Sequence, residues 1–262
     1  MRQSIAERFS DPAAFGIPLP GNADAQPPRL FRDAKKRQIG RCLAYRIDPA
    51  HQTGPEQTVL CVHGWASRGF HLGAFVPPLI RQGWSVEVID LPGHGANSKE
   101  NLPIDDAVTS VAEVIRVVRP GGVIAHSFGA AVTSAVVAVM EAAWPRLALI
   151  APPESLAATA EAFCQRTGAS SAEREELMAD LSRRCHGKLD HMVPGRLLSS
   201  YNEAVRWYLS SDDEVVGTYH LTPDRDTVDQ SLQVYDGLGH HGLLTSRAVI
   251  RDVTSFIAGQ CG

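Results

Sequence analysis

The stretch GGVIAHSFGAAV, residues 121–132, decides how this chain is to be read. It lies within residues 120–140, a run that holds no Asp, Glu, Lys or Arg. At its centre His126 and Ser127 stand side by side among small residues. VIA reads as the end of a strand, and AAVTSAVVAV, residues 130–139, as the start of a helix. His126, Ser127 and Phe128 must therefore make the turn between them. A turn that tight crowds its neighbours. Ala125 and Gly129, two before and two after the serine, let the strand and helix backbones approach, and Ala130 and Ala131 keep the helix start slim. Ser127 is thereby pushed out at the carboxyl end of a sheet, where open α/β folds bind ligands. It also stands near a helix N-terminus, which favours a developing negative charge.

The segments around this turn repeat its rhythm. TVLCV (58–62), WSVEVID (84–90) and RLALIA (146–151) are short, largely apolar runs that read as strands. FHLGAFVPPLIRQ (70–82) reads as a short helix interrupted or started at Pro77-Pro78. Residues 104–118 place Ala107, Val108, Val111, Val114, Ile115 and Val118 at helical spacing. RCLAYRI (41–47) reads as a strand. The rest of the first 57 residues is rich in Pro and Gly and reads as extended or looping, with KKR (35–37) as a solvated turn. EAVRWYLSS (203–211), SLQVYDG (231–237) and the amphipathic AVIRDVTSFIAG (248–259) resume the pattern near the C-terminus. Apolar strands alternating with helices predict an α/β fold with a doubly wound, mostly parallel sheet covered on both faces. The rhythm breaks after Pro152-Pro153. Residues 154–202 read as a helical lid inserted within a single domain spanning 1–262. In that insertion Ser170 and Glu173 stand at capping-box spacing, and Leu177, Met178, Leu181 and Cys185 form a stripe suited to packing.

Composition narrows the function. The 262 residues are 44% hydrophobic and 21% charged, with a formal net charge of -4 and both signs scattered. Nucleic acid and anionic membrane surfaces are poor partners for such a chain. The five cysteines are odd in number, widely spaced and without a C-x-x-C. That argues against a disulfide framework or thiolate zinc site and for a reducing, cytoplasmic setting. The N-terminus has no apolar core of signal-peptide length. The ten histidines form no H-x-x-x-H helix or His/Cys cluster, and no phosphate-binding glycine loop follows a strand. Neither a metal nor a cofactor is expected.

AHSFG has the small-x-Ser-x-small form of a nucleophile elbow, with Ala125 where glycine is usual, and here the chain resembles the α/β-hydrolase family. Three further motifs follow the order of that resemblance. VLCVHGWASRG (59–69) matches the strand and oxyanion loop, which implies that the N–H groups of Trp65 and Phe128 hold the reacting oxygen. VIDLPGHGANS (88–98) matches a structural turn of the family, so His94 is not expected to act as base. SSDDEVV (210–216) looks like the acid loop, D-x-x-V, and its register implies Asp213, with Asp212 and Glu154 as the other carboxylates to test. YDGLGHHGLL (235–244) implies His240 as the base, with His241 a neighbour. The expected activity is hydrolysis of a small-molecule carboxylic ester through an acyl-enzyme on Ser127, with no cofactor. A thioester or a C–C bond beside a ketone uses the same triad, and a non-catalytic ligand receptor on the same fold is the second class. Phe163, Met178 and Met192 are candidate walls of the substrate pocket. The sequence does not set the oligomeric state.

Overall fold

A strand with apolar side chains on both faces is stable only where helices cover the sheet on both sides. The computed structural model has that arrangement. It describes residues 3–10, 27–51, 57–65, 67–97, 104–140, 146–185, 193–198, 204–216 and 231–259. Among the described residues eight strands form one sheet in the order β1-β2-β4-β3-β5-β6-β7-β8. They are β1 (Lys35–Ile39), β2 (Cys42–Ile47), β3 (Thr58–Val62), β4 (Ser85–Asp90), β5 (Gly122–His126), β6 (Arg146–Ile150), β7 (Val205–Ser210) and β8 (Leu232–Tyr235). β1 and β2 run antiparallel to their neighbours, and β3 through β8 are parallel. β3, β4 and β5 are buried at every position.

Side chains alternate between the two faces of the sheet. Val59 and Cys61 of β3 pack toward α3 (Val76–Arg81) and α10 (Arg247–Ile257), beside Val76, Leu79, Val249 and Val253. Leu60 and Val62 point the other way, toward α4 (Ile104–Val118) and α5 (Phe128–Val139), where they meet Ala107, Val111, Val114, Val132 and Val136. The apolar positions of α4 at helical spacing are thus the ones in the core, while Val117, off that stripe, is exposed.

The described part of the first 57 residues holds more secondary structure than the composition suggests. It contains α1 (Ile5–Ser10), α2 (Arg29–Arg32) and β1. KKR is not a solvated turn. It belongs to an edge strand, exposed at its first four positions. Charged side chains on an edge discourage pairing with another chain. Arg37 has a further reason to be there. Its guanidinium donates two hydrogen bonds, of 2.9 and 3.1 Å, to the Glu87 carboxylate. Glu87 lies at 0% exposure in β4, and a buried carboxylate without such a partner would be strongly destabilising.

Between β6 and β7 stand α6 (Leu156–Thr167), α7 (Ser171–Arg184) and α8 (Pro194–Leu197). Ser155 caps α6 by accepting from the Ala158 N–H, and Ser170 with Glu173 forms a full capping box on α7. α6 and α7 share a separate hydrophobic cluster with α1, built on Ile5, Phe9, Leu156, Phe163, Leu177 and Leu181. α1 thereby joins helices about 150 residues away in sequence. Among the described residues Cys42, Cys61 and Cys164 are free thiols, and no helix is long and apolar enough to cross a membrane.

Candidate active site

The turn between β5 and α5 is backbone strain in a defined place. Ser127 has φ 53° and ψ -123°, a region that side-chain-bearing residues rarely adopt. Its N–H donates to the Ile150 carbonyl at 2.8 Å, which ties the turn to β6. Gly129 must be glycine: a Cβ there would stand 2.4 Å from the His63 carbonyl oxygen and 2.7 Å from that of Val62. α5 can therefore press directly on the end of β3. Ala125, where the motif usually has glycine, is fully buried between Val62 and Leu149 in the sheet, so its methyl group is accommodated.

Ser127 Oγ lies 3.0 Å from Nε2 of His240, whose Nδ1 lies 2.8 Å from Asp213 Oδ2. An ionised carboxylate only accepts, so the imidazole N–H on Nδ1 donates to Asp213 and the Nε2 lone pair faces the serine hydroxyl. Asp213 Oδ1 accepts from the N–H groups of Val215 at 2.9 Å and Val216 at 3.1 Å. His240 and Asp213 are both buried. Asp212 points elsewhere. It is exposed, and it accepts from Ser210 Oγ and from the Gly239 N–H at 3.0 Å, which stitches the acid loop to the histidine loop. Those hydrogen bonds keep its carboxyl below the usual carboxylate range. Glu154 is exposed ahead of α6.

His63 is a residue the sequence reading did not single out. It is fully buried at the end of β3. The Leu91 N–H donates to its Nε2 at 3.0 Å, so the ring proton is on Nδ1, which donates to the Gly64 carbonyl at 2.7 Å. Burial, with His94 as a secondary influence, holds this imidazole neutral. The Gly64 carbonyl and the Trp65 N–H belong to one peptide plane and point in opposite directions. Fixing the carbonyl therefore fixes the N–H. Gly64 itself abuts the elbow, since a Cβ on it would be 2.9 Å from Ser127 Cβ. Phe128 is the first residue of α5, where N–H groups have no intrahelical partner. The Trp65 and Phe128 rings meet edge to face at 4.8 Å. The only early signal of His63's role was its place beside Gly64.

A narrow cavity of about 50 Å³ opens over Ser127 and His240, room for a few waters at ~10–15 Å³ each. It is lined by His126 and His241, by Trp65, Phe128 and Phe9, by Leu156, Thr159 and Arg166 of α6, and by Val215 and Val216. Burial keeps the His126 imidazole neutral and pushes that of His241 down to about 4. Phe163 does not reach the cavity wall. It stands behind Phe9, edge to face at 5.2 Å. Met178 is partly buried against the cluster under α6 and α7, and Met192 lies outside the described residues. His94 is buried away from the cavity, its Nδ1 2.9 Å from the Pro92 carbonyl. Its loop is held by Asp90, which accepts from Gly69 N–H, Ala96 N–H and the Tyr45 hydroxyl. No group of three or more His, Cys, Asp or Glu side chains suited to a metal occurs among the described residues.

The model of the Alpha/beta hydrolase family matches residues 59–253. Among solved structures, the butyrate-bound esterase Est2 of Thermogutta terrifontis superposes with a TM-score of 0.60 at 14% identity, covering 89% of this chain and 96% of that one. An esterase of Pyrococcus furiosus gives 0.59 at 14% identity over 93% and 95% of the two chains. Epoxide hydrolase A of Mycobacterium thermoresistibile gives 0.56 at 13% identity over 87% and 98%. At such identities the likeness is one of fold. The comparison with curated proteins finds no match.

Proposed function

Because the chain belongs to the alpha/beta hydrolase family, we propose that it is a serine hydrolase that cleaves a small carboxylic ester without a cofactor. The observation that carries this is the hydrogen-bonded line Ser127–His240–Asp213, with steps of 3.0 and 2.8 Å, beneath a narrow cavity. Ser127 Oγ attacks the ester carbonyl while His240 Nε2 takes its proton. Asp213 keeps the second imidazole proton on Nδ1 and stabilises the cation that forms. The carbonyl oxygen, now negative, is held by the N–H groups of Trp65, oriented through His63, and of Phe128 at the head of α5. His240 returns its proton to the leaving alcohol. A water activated by the same nitrogen then releases the acid and restores Ser127.

The epoxide hydrolase and the esterases share this fold, but the elbow of this chain holds a serine hydroxyl, a nucleophile suited to acyl transfer. The domain reads as one catalytic unit, with α6, α7 and α1 as a lid over the site. The decisive measurement is pre-steady-state and steady-state kinetics with activated esters and thioesters of increasing chain length, alongside fluorophosphonate labelling. The expected result is one label per chain on Ser127, absent from Ser127→Ala, with continued turnover after the first acylation. A single slow acylation without turnover would identify a ligand receptor, and labelling that survives Ser127→Ala would overturn the assignment.

A further inference from the structure

Two imidazoles in the cavity wall have no part in the triad. His126 precedes the nucleophile and His241 follows the base, and both line the space over Ser127. Their ring centres lie 5.8 Å apart. His126 is 2% exposed. Its Nε2 lies 3.2 Å from the His240 carbonyl oxygen, which only accepts, so the proton sits on Nε2 and Nδ1 carries a lone pair. That Nδ1 is buried and has no hydrogen-bond partner among the described residues. It stands at the elbow: a Cβ on Gly64 would be 3.1 Å from it and 2.9 Å from Ser127 Cβ. Both ring nitrogens of His241 are likewise buried and without a partner among the described residues. Burial keeps the two rings uncharged at pH 7, so His241 offers one N–H and one lone pair in either tautomer. Elsewhere in the wall Thr159 Oγ1 donates to the Ser155 carbonyl and Arg166 to that of Val215. Folded chains satisfy nearly all their buried polar atoms. Three such nitrogens beside one catalytic cavity therefore point to a polar ligand. Among the described residues they belong to no group suited to a metal.

We propose that His126 and His241 form a specificity subsite that selects esters bearing a free hydroxyl within a few bonds of the scissile carbonyl. The inference rests on the hydrolase reading above and names its substrate class. A hydroxyl donates one hydrogen bond and accepts others, so it can donate to His126 Nδ1 and accept from the N–H of His241. A carboxylate has no proton to donate to Nδ1. A plain alkyl group strips water from all three nitrogens and returns nothing, which is how a site built for a hydroxyl rejects the analogue lacking it. The closeness of Nδ1 to Ser127 and the small cavity keep the hydroxyl near the reacting carbon. It can belong to either half of the ester, the acyl group of a hydroxy acid or the alcohol of a diol monoester.

Both sources are tested against esters in which a methyl group replaces the hydroxyl. One arm compares methyl 2-hydroxybutyrate and methyl 3-hydroxybutyrate with methyl 2-methylbutyrate and methyl 3-methylbutyrate. The other compares 2-hydroxyethyl butyrate with propyl butyrate. The readout is the ratio of kcat/KM for the hydroxy ester to that for its match. The native protein should favour the hydroxy ester in one arm, and His241→Phe and His126→Leu should each lower that ratio about five- to a hundredfold, the effect of leaving a buried polar group unpaired. His126→Asn, which keeps an acceptor at the δ1 position, should recover part of it. If the two histidines only support their loops, both members of each pair slow together and the ratio stays put, which would overturn the proposal. Should thermal unfolding show that His126→Leu does not fold, His241→Phe decides alone. Ligand-observed NMR titration of methyl 3-hydroxybutyrate and 2-hydroxyethyl butyrate on the Ser127→Ala protein gives a readout without turnover. Loss of at least fivefold in affinity for one of them on adding His241→Phe, in a protein whose native form cleaves no ester, would sink the hydrolase reading and retain the subsite. Efficient ester cleavage with affinities indifferent to both histidines would do the reverse.

Discussion

Replacing Asp213 by asparagine changes one atom of the side chain, and the structure says which way the new amide must face. Asp213 Oδ1 accepts two backbone N–H groups, from Val215 and Val216, at 2.9 and 3.1 Å. An asparagine oxygen can keep both bonds only if its NH2 takes the place of Oδ2, opposite His240 Nδ1. Turning the amide round would set its NH2 against two N–H donors and leave them unsatisfied, at about 1–3 kcal/mol each. The amide therefore donates to Nδ1, the imidazole proton moves to Nε2, and the nitrogen facing Ser127 Oγ loses its lone pair. The cation formed on proton transfer also loses its anionic partner. The expected cost is roughly 10³–10⁴-fold in kcat, the size seen when the triad acid of a serine protease is so changed, or about 4–5.5 kcal/mol of barrier at ~1.4 per decade. Asp212→Asn disturbs only an exposed link to Ser210 and Gly239 and should cost about tenfold or less. Glu154→Gln should cost still less. The assay is single-turnover and steady-state hydrolysis of an activated ester, with thermal unfolding as the control for folding. An Asp213→Asn protein within tenfold of wild type, or a crippled Asp212→Asn or Glu154→Gln, would refute the tautomer argument and move the acid elsewhere.

Two further outcomes follow from burial. Phe9 lines the cavity while Phe163 stands behind it, so Phe9→Ala should raise kcat/KM for longer acyl chains relative to acetate severalfold. Met178→Ala, which alters the packing between α6 and α7, should leave that ratio alone; a chain-length series on each variant checks it, and the opposite pattern would displace Phe9 from the wall. Five imidazoles, those of His63, His71, His94, His126 and His241, titrate below their ordinary 6.5 in the folded chain, mainly through burial. The unfolded chain binds protons near pH 6.5 that the native state refuses until about pH 4, where His71 and His241 charge. Stability should thus be full above pH 6.5 and fall as the pH drops toward 4. Its slope should exceed the ~1.4 kcal/mol per pH unit of a single proton, and denaturant unfolding that is flat from pH 7 to pH 5 would contradict this.

The parts of this protein legible in the chain are those whose physics is local. An uncharged strand, a three-residue turn and a helix opening on small residues are enough to place Ser127 at an elbow. Alternation of fully apolar strands with amphipathic helices is likewise a short-range pattern, and it gives a parallel sheet covered on both faces. Ser170 and Glu173 announce a helix start because a capping box closes within four residues. Other features depend on neighbours distant in sequence. KKR looks like solvated charge until β2 and β4 place Glu87 under Arg37. Phe9 and Arg166 carry no mark of a cavity in their own segments, because its wall is assembled from α1, α6 and the loop beyond β7. His63 is one more polar residue beside a glycine until the Leu91 N–H fixes its tautomer and the Gly64 carbonyl accepts a hydrogen bond from its Nδ1–H. Which of two adjacent carboxylates faces His240 is decided the same way. Asp212 and Asp213 are chemically alike in the chain, and only the fold, by offering two N–H donors and an imidazole to one and an exposed link to Ser210 and Gly239 to the other, makes them different groups.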